Sequence, residues 1–227
     1  MSLTVASYNV HRFVGTDGVR DVRRMARVVR GLQADVVALQ EVAFEPGDDQ
    51  PRELLAELPE YQAISAPIQR RDRVRQGNVL LTRLPIVSSR RISLDFEGHE
   101  PRTAIDARLE TTGRPLRVVA THLGLRPRER RFQVRMILER VEGDEQAVTV
   151  LLGDFNEWFL AGRPLRWLHQ RFGWAAAVAT FPAWLPVFKL DRVWVHPPTA
   201  LERLSAVTTE VARVASDHLP VVAQVRV

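Results

Sequence analysis

Residues 148–156 read VTVLLGDFN, and this stretch decides the fold. Val148 to Leu152 form an apolar run of the length expected for a buried strand. Gly153 permits a tight turn, and Asp154 and Asn156, two apart, share a face in extended backbone. Alone, this is an ordinary G-D-x-N turn. The same layout, however, recurs outward along the whole chain. Asn9 ends VASYN, Glu41 ends VVALQE, Asn78 opens GNVLLTR and His122 ends RVVATHLG. Asp191 sits in KLDRVWV, and Asp217 and His218 sit in SDHLP. Each apolar run predicts a buried strand with a polar group at its edge. Polar groups at strand ends can converge on one rim of a sheet. Carboxylates, amides and imidazoles gathered there would hold a hard divalent metal and cut a phosphate ester.

The remaining elements follow from periodicity. Leu3 to Val10 alternates as a first strand. Val22, Met25, Val28, Val29 and Leu32 recur at helical spacing, with a break at Gly31. Val36 to Leu39 is a short strand, and Asp48 to Leu58 holds a short helix with Pro51 in its first turn. Gln69 to Gln76 is a charged loop, followed by a strand over Asn78 to Thr82. Ile86 to Leu94 and Arg102 to Leu109 read as antiparallel neighbours. The turn at Thr112-Gly113 leads into Leu116 to Thr121. Glu129 to Val141 is a second helix, with Phe132, Met136, Ile137 and Val141 mainly on one side. A helix over Pro164 to Phe172 and strands over Asp191 to His196 and Leu219 to Val227 complete the set. Many strands with short antiparallel connections suggest two packed sheets covered by helices. No repeat or linker is visible, so residues 1–227 are expected to form one domain.

Composition narrows the chemistry. The 227 residues allow a substantial core, and no apolar run is long enough to span a bilayer. The start MSLTVASYNV reads as a strand rather than a secretory leader, which points to a cytoplasmic protein, with a peripheral place at a membrane left open. No cysteine is present, which excludes disulfides, thiolate chemistry and cysteine zinc sites. The net charge of +5 arises from 32 basic residues, nearly all arginine, against 27 acidic ones. A mild positive excess favours anionic partners without choosing among nucleic acid, phospholipid and small phosphate esters.

The pieces SYNVH, LQE, GNVLLTR, THLG, GDFN, LDRVWV and SDHLP, in this order from residue 7 to residue 220, together resemble the endonuclease/exonuclease/phosphatase superfamily. This magnesium-dependent group includes deoxyribonuclease I, abasic-site endonucleases, neutral sphingomyelinases and inositol polyphosphate phosphatases. The resemblance implies a four-layer α/β/β/α sandwich, two mostly antiparallel packed sheets with the site on one rim. It also implies roles. Glu41 and Asp217 match metal carboxylates, and Asn9 lies beside the metal and helps hold the phosphate. Asp154 orients or deprotonates the attacking water, or binds a second metal. Asn156 holds the phosphate and the nucleophile. His218 matches the catalytic imidazole and Asp191 the carboxylate that orients it. His122 contacts the phosphate or donates a proton, Arg102 lies near the basic phosphate clamp, and Asn78 orients neighbouring ligands. The abasic-site endonucleases lack histidine at THLG, which weakens that reading. The expected cofactor is Mg²⁺, with Mn²⁺ as substitute, since the proposed ligands are oxygen donors.

The substrate is less legible. Arg70, Arg71, Arg73 and Arg75 make either a solvated loop or a track for a nucleic-acid backbone or anionic headgroups. Phe181, Trp184, Leu185, Val187 and Phe188 in FPAWLPVF read as core, as a lid or as a lipid contact. The wording TFPAWLPVFKLDR resembles a bacterial branch sometimes linked with phospholipid metabolism. The expectation is a phosphodiesterase acting on nucleic acid or phospholipid, with no protein partner. A phosphomonoesterase and a non-enzymatic scaffold are the alternatives.

Overall fold

A computed structural model describes residues 1–45, 48–68, 76–141 and 146–227. The arginine-rich loop at 69–75 lies outside the described residues. One sheet has the order β11-β12-β1-β2-β5-β4, with the short β3 paired to β2. Its strands are β1 (Ser2–Asn9), β2 (Val36–Glu45), β3 (Asp48–Asp49), β4 (Gln62–Ile68), β5 (Gln76–Thr82), β11 (Leu201–Ala206) and β12 (Val221–Arg226). The other sheet runs β10-β9-β8-β7-β6, from β6 (Ile86–Ser93), β7 (Thr103–Leu109), β8 (Leu116–His122), β9 (Val148–Asp154) and β10 (Asp191–His196). Two pairs are parallel, β1 with β2 and β8 with β9, and the other pairings are antiparallel.

The period of two explains the layering. Leu3 and Val5 of β1 pack with Val221, Ala223 and Val225 of β12 and with Ile105, Val118, Val150 and Val193 of the other sheet, making the central core. Ala6 and Tyr8 point the opposite way, towards the outer helices. Helices α1 (Val22–Gly31), α2 (Gln50–Glu57) and α5 (Glu210–Ala215) cover that face. Val119, Leu151 and Trp194 meet α3 (Pro127–Arg140) and α4 (Arg163–Phe172) on the far face. The result is the expected α/β/β/α sandwich. Asp21 caps α1 through Arg24 N at 2.8 Å, and Asp49 caps α2 through Arg52 N at 3.3 Å. Among the described residues, no helix is long and apolar enough to cross a membrane.

Several expectations are corrected. β2 does not stop at Leu39. It continues to Glu45 through a bulge, because the pairing with β5 shifts between Leu39 and Val42. Gly153 lies within β9 rather than in a turn, paired with Thr121 and Arg192 at φ +149°. Phe132 faces outward on α3, where its ring centroid lies 5.4 Å from that of Phe96; the buried face carries Glu129, Arg130, Gln133, Val134 and Ile137. Polar side chains with fixed partners therefore occupy positions that periodicity gives to apolar ones. Arg130, for example, bonds Glu157 at 3.2 Å and the Leu125 carbonyl at 2.6 Å. Strands β4 and β11 and helix α5 had no counterpart in the sequence reading.

Candidate active site

Topology gathers the polar strand ends. The parallel pairs β1/β2 and β8/β9 point their C-terminal ends to one rim, as α/β sites commonly require. Asn9 ends β1, His122 ends β8 and Asp154 ends β9. The antiparallel β10 and β12 contribute their starts, so Asp191 lies in register with Asp154, and His218 precedes β12. At the bulge of β2 Glu41 takes φ 59°, a left-handed conformation that costs energy in a non-glycine residue.

Asn9 is the bridge between the sheets. Its Nδ2 donates to Asp154 Oδ2 at 3.0 Å and to Glu41 Oε1 at 3.3 Å, while its Oδ1 accepts from His11 N at 3.1 Å. Asp154 Oδ1 accepts from the Asn156 backbone at 2.9 Å, which turns the chain at φ 49°. Asn156 Nδ2 donates to the Leu123 carbonyl at 2.9 Å and sits 3.1 Å from His122 Nε2. The other His122 nitrogen lies 3.4 Å from Arg102. Burial, the Arg102 charge and the His218 charge hold His122 well below the usual histidine range. It is a neutral ring with an N–H group near each nitrogen, and its Nε2 also lies 3.6 Å from Asp154 Oδ2 and 3.9 Å from Glu41 Oε1.

A second cluster adjoins the first. His218 Nδ1 lies 2.8 Å from Asp191 Oδ2, and Thr180 Oγ1 donates to the same oxygen at 2.6 Å. His218 Nε2 is 3.9 Å from Asp154 Oδ2. Burial pulls the His218 pKa down, but the attraction of Asp191, Asp154 and Asp217 outweighs it and raises the pKa to about 10. Burial pushes Asp154 up to about 6, against the pull of the His218 charge. Asp191 Oδ1 is buried with no partner.

The remaining expected residues are less central. Asp217 is partly exposed, 3.3 Å from Ser216 Oγ and 4.0 Å from His11 Nδ1. Ser216 Oγ also donates to the Asn9 carbonyl at 2.7 Å, which ties the SDH turn to β1. Asn78 spends its amide on the Thr103 carbonyl at 2.7 Å, pinning β5 to the start of β7 beside Arg102. The backbone of Arg102 is held by Asp95 at 3.1 Å, and its guanidinium also bonds Glu100 at 3.2 Å. Sequence reasoning missed Thr180, His11 and Ser216 as parts of the site. A threonine eleven residues before Asp191 carries no spacing signal; the SYNVH motif did contain His11.

Two donor groups suit a cation. The expected set, Glu41, Asp217, Asn9 and Asp154, offers oxygen atoms, and Glu41 and Asp217 keep solvent access at the rim. The tightest group among the described residues is Asp154, Asp191 and His218, with ligand atoms within 4.8 Å of one another. There Asp191 Oδ2 and His218 Nδ1 already bond each other, which leaves Asp191 Oδ1 and His218 Nε2 as the atoms open to a cation. Asp154 is common to both groups. Oxygen donors of this kind fit a hard divalent ion.

A profile of the endonuclease/exonuclease/phosphatase family matches residues 6–218. The chain belongs to this family. It is 30% identical to the uncharacterized protein YbhP of Escherichia coli K12, over 99% of this chain and 96% of that one. Among solved structures, the endonuclease/exonuclease/phosphatase from Beutenbergia cavernae DSM 12333 aligns at TM-score 0.81 and 24% identity, over 100% of this chain and 72% of that one. D. rerio TDP2, complexed with single-stranded DNA product, aligns at TM-score 0.73 and 18% identity, over 100% and 99%. The mannosyl-6-phosphatase Bt3783 of Bacteroides thetaiotaomicron VPI-5482 aligns at TM-score 0.76 and 19% identity, over 99% and 100%. These likenesses to solved structures establish the shared fold. Members of the family are hydrolytic phosphoesterases and are generally divalent-metal dependent.

Proposed function

We propose that this protein is a Mg²⁺-dependent phosphodiesterase that hydrolyses nucleic acid or phospholipid, with Mn²⁺ able to replace Mg²⁺. The observation that carries the reading is the buried Asp191–His218 pair, 2.8 Å apart, with the second ring nitrogen turned to Asp154. Asp191 fixes Nδ1 and the ring plane, so His218 exchanges a proton or stabilises charge through Nε2. Asp154, held by Asn9 and the Asn156 backbone, orients the attacking water. His122, Asn156 and Arg102 face the phosphate and offset charge on its oxygens; Asn78 acts indirectly, by holding the strand that carries Arg102. Glu41 and Asp217, with Asn9 and Asp154 beside them, would hold the metal, which when bound polarises the phosphoryl oxygen and stabilises the leaving oxygen.

Charge supports a diester over a monoester. Among the described residues, the cations of this cluster are the Arg102 guanidinium, shared with Glu100, and the His218 ring, shared with Asp191. A monoester dianion would ask for more positive charge than a diester.

The test is steady-state hydrolysis of an aryl phosphodiester and an aryl phosphomonoester with Mg²⁺, Mn²⁺ or excess chelator. His218→Ala should lose ~10²–10⁴-fold in kcat with its thermal melt retained. Glu41→Ala should bind Mn²⁺ more weakly by calorimetry. Full activity in chelator would remove the metal from the mechanism. Attack on the monoester alone would overturn the diester assignment, and a fully folded protein inert on both would favour a scaffold.

A further inference from the structure

Two loops leave the rim beside the site. One follows Asp154 on β9, and the other precedes Asp191 on β10, its partner in register, so they emerge together. The first exposes Trp158 (43%), Phe159 (71%) and Leu160 (67%). The second exposes Trp184 (68%), Leu185 (55%), Val187 (57%) and Phe188 (41%). For these side chains the core reading of FPAWLPVF is excluded. Ring contacts join the loops: Trp158 lies 4.8 Å from Phe188 and 5.9 Å from Phe181. Phe181 in turn packs 4.8 Å from His218, so the apolar surface runs up to the site. Arg213 donates to the carbonyls of Ala183 and Trp184 at 3.0 and 3.3 Å and fixes the backbone from which Trp184 and Leu185 project.

Charge selects the occupant. Glu157 and Asp191 bracket 33 residues with no acidic side chain, in a chain that has 27 of them. The same stretch carries Arg163, Arg166, Arg171 and Lys189. Arg163 and Arg166 are exposed at the start of α4, directly after Leu160. Beside the loops stand Glu157, buried and bonded to Arg130 and to Phe159 N, and Asp217, whose carbonyl accepts from Ala183 N. The exposed tips themselves, aromatic and aliphatic with only basic charges in their own stretch, match the boundary between acyl chains and anionic headgroups. A platform for stacked bases would need flat rings, whereas Leu160, Leu185 and Val187 have no π face to offer.

We propose that the loops 158–163 and 182–189 dock this protein on a phospholipid bilayer bearing anionic headgroups, with Phe159, Leu160, Trp184 and Leu185 inserted and the basic residues at headgroup level. Docking brings the rim to the membrane surface; that the headgroup ester is then hydrolysed rests on the diesterase reading, but docking itself does not.

The full chain is floated with vesicles of phosphatidylglycerol and phosphatidylcholine, and with vesicles of phosphatidylcholine alone. Tryptophan emission is followed with brominated lipid as quencher, without added metal. Wild type should bind the anionic vesicles preferentially, with quenched tryptophan. The pairs Trp184→Ser with Leu185→Ser, and Phe159→Ser with Leu160→Ser, should each weaken partitioning, on the order of tenfold for each side chain removed. Their melts and soluble-diester turnover should stay at the wild-type level. Equal partitioning of wild type and variants, or no preference for anionic vesicles, overturns the proposal. So does a stable dimer whose Trp184 is shielded from aqueous quencher, or a loss of oligonucleotide binding in variants that still bind vesicles. Vesicle binding without hydrolysis of any ester would sink the diesterase reading and leave docking intact; hydrolysis without vesicle binding would do the reverse.

Discussion

Thr180→Val isolates the hydroxyl that supports the Asp191–His218 pair. Asp191 is fully buried, and its Oδ2 receives Thr180 Oγ1 at 2.6 Å and His218 Nδ1 at 2.8 Å, while Oδ1 has no partner. The threonine is itself locked, since its N donates to the Phe188 carbonyl and its carbonyl accepts from Leu219 N, both at 2.9 Å. Valine keeps the shape and removes only the donor, so no cavity term enters. A hydrogen bond to a charged group contributes ~1.5–3 kcal/mol, and a buried carboxylate cannot recover it from water. Urea unfolding should therefore show a loss in that range. A looser carboxylate orients the ring less well, so kcat should fall about tenfold, less than the ~10²–10⁴-fold expected of Asp191→Asn. Thr180→Ser should restore kcat, and stability apart from the ~1 kcal/mol of one buried methyl group. A valine variant within ~0.5 kcal/mol of wild type, the scatter of neutral substitutions, and with unchanged kcat would refute the reasoning.

In Gly153→Ala, the new Cβ would overlap the Thr121 carbonyl oxygen, at φ +149°. The parallel strands β8 and β9 must part at the floor of the site, so a loss of at least ~3 kcal/mol is expected; an unchanged melting temperature would contradict this. Asp106 is buried against Arg117 at 2.8 Å and is also bonded by Arg90 at 2.8 Å. Burial raises its pKa, but these guanidinium groups win and hold it below the usual carboxylate range. Its stabilising effect is thus present above the unfolded-state pKa of about 4 and is lost as pH falls through the lower folded value. Asp106→Asn should cost ~3 kcal/mol near pH 7, because the buried Arg117 loses both of its bonds to a charged carboxylate. That cost should shrink on acidification below about pH 4; a cost that grew with acid would reverse the assignment.

Much of the fold was legible because its strands are short apolar runs ended by turns, and two buried sheets leave such runs little alternative. The elements that escaped are those whose pattern is diluted. β4 reads QAISAPI and alternates only weakly, as its half-exposed burial confirms. β11 reads LERLSA and lies at the sheet edge with charged residues on its outer side. On α3, Glu129 bonds its neighbours Gln133 and Arg126, but Arg130 and Gln133 are buried because Glu157 and Leu94, 27 and 39 residues away, also satisfy their polar atoms, partners that no local window contains. The same limit hid Thr180, whose hydroxyl matters only once the Phe181–Phe188 bridge folds it back on Asp191.

The polar cluster was easier to read than these elements, for a topological reason. In β1, β8 and β9 the polar residue follows its apolar run, and in β10 it precedes the run. A residue after one strand and a residue before another share a rim only if those strands are antiparallel. Residues that both follow their strands share it only if the strands are parallel. The observed pairings satisfy both conditions, with β8 parallel to β9 and β10 antiparallel to it. The order of polar and apolar residues in RVVATH, VLLGD and LDRVWV therefore constrains strand direction as well as position. A sheet with β10 reversed would bury the same apolar side chains yet carry Asp191 to the opposite rim, away from Asp154 and His218.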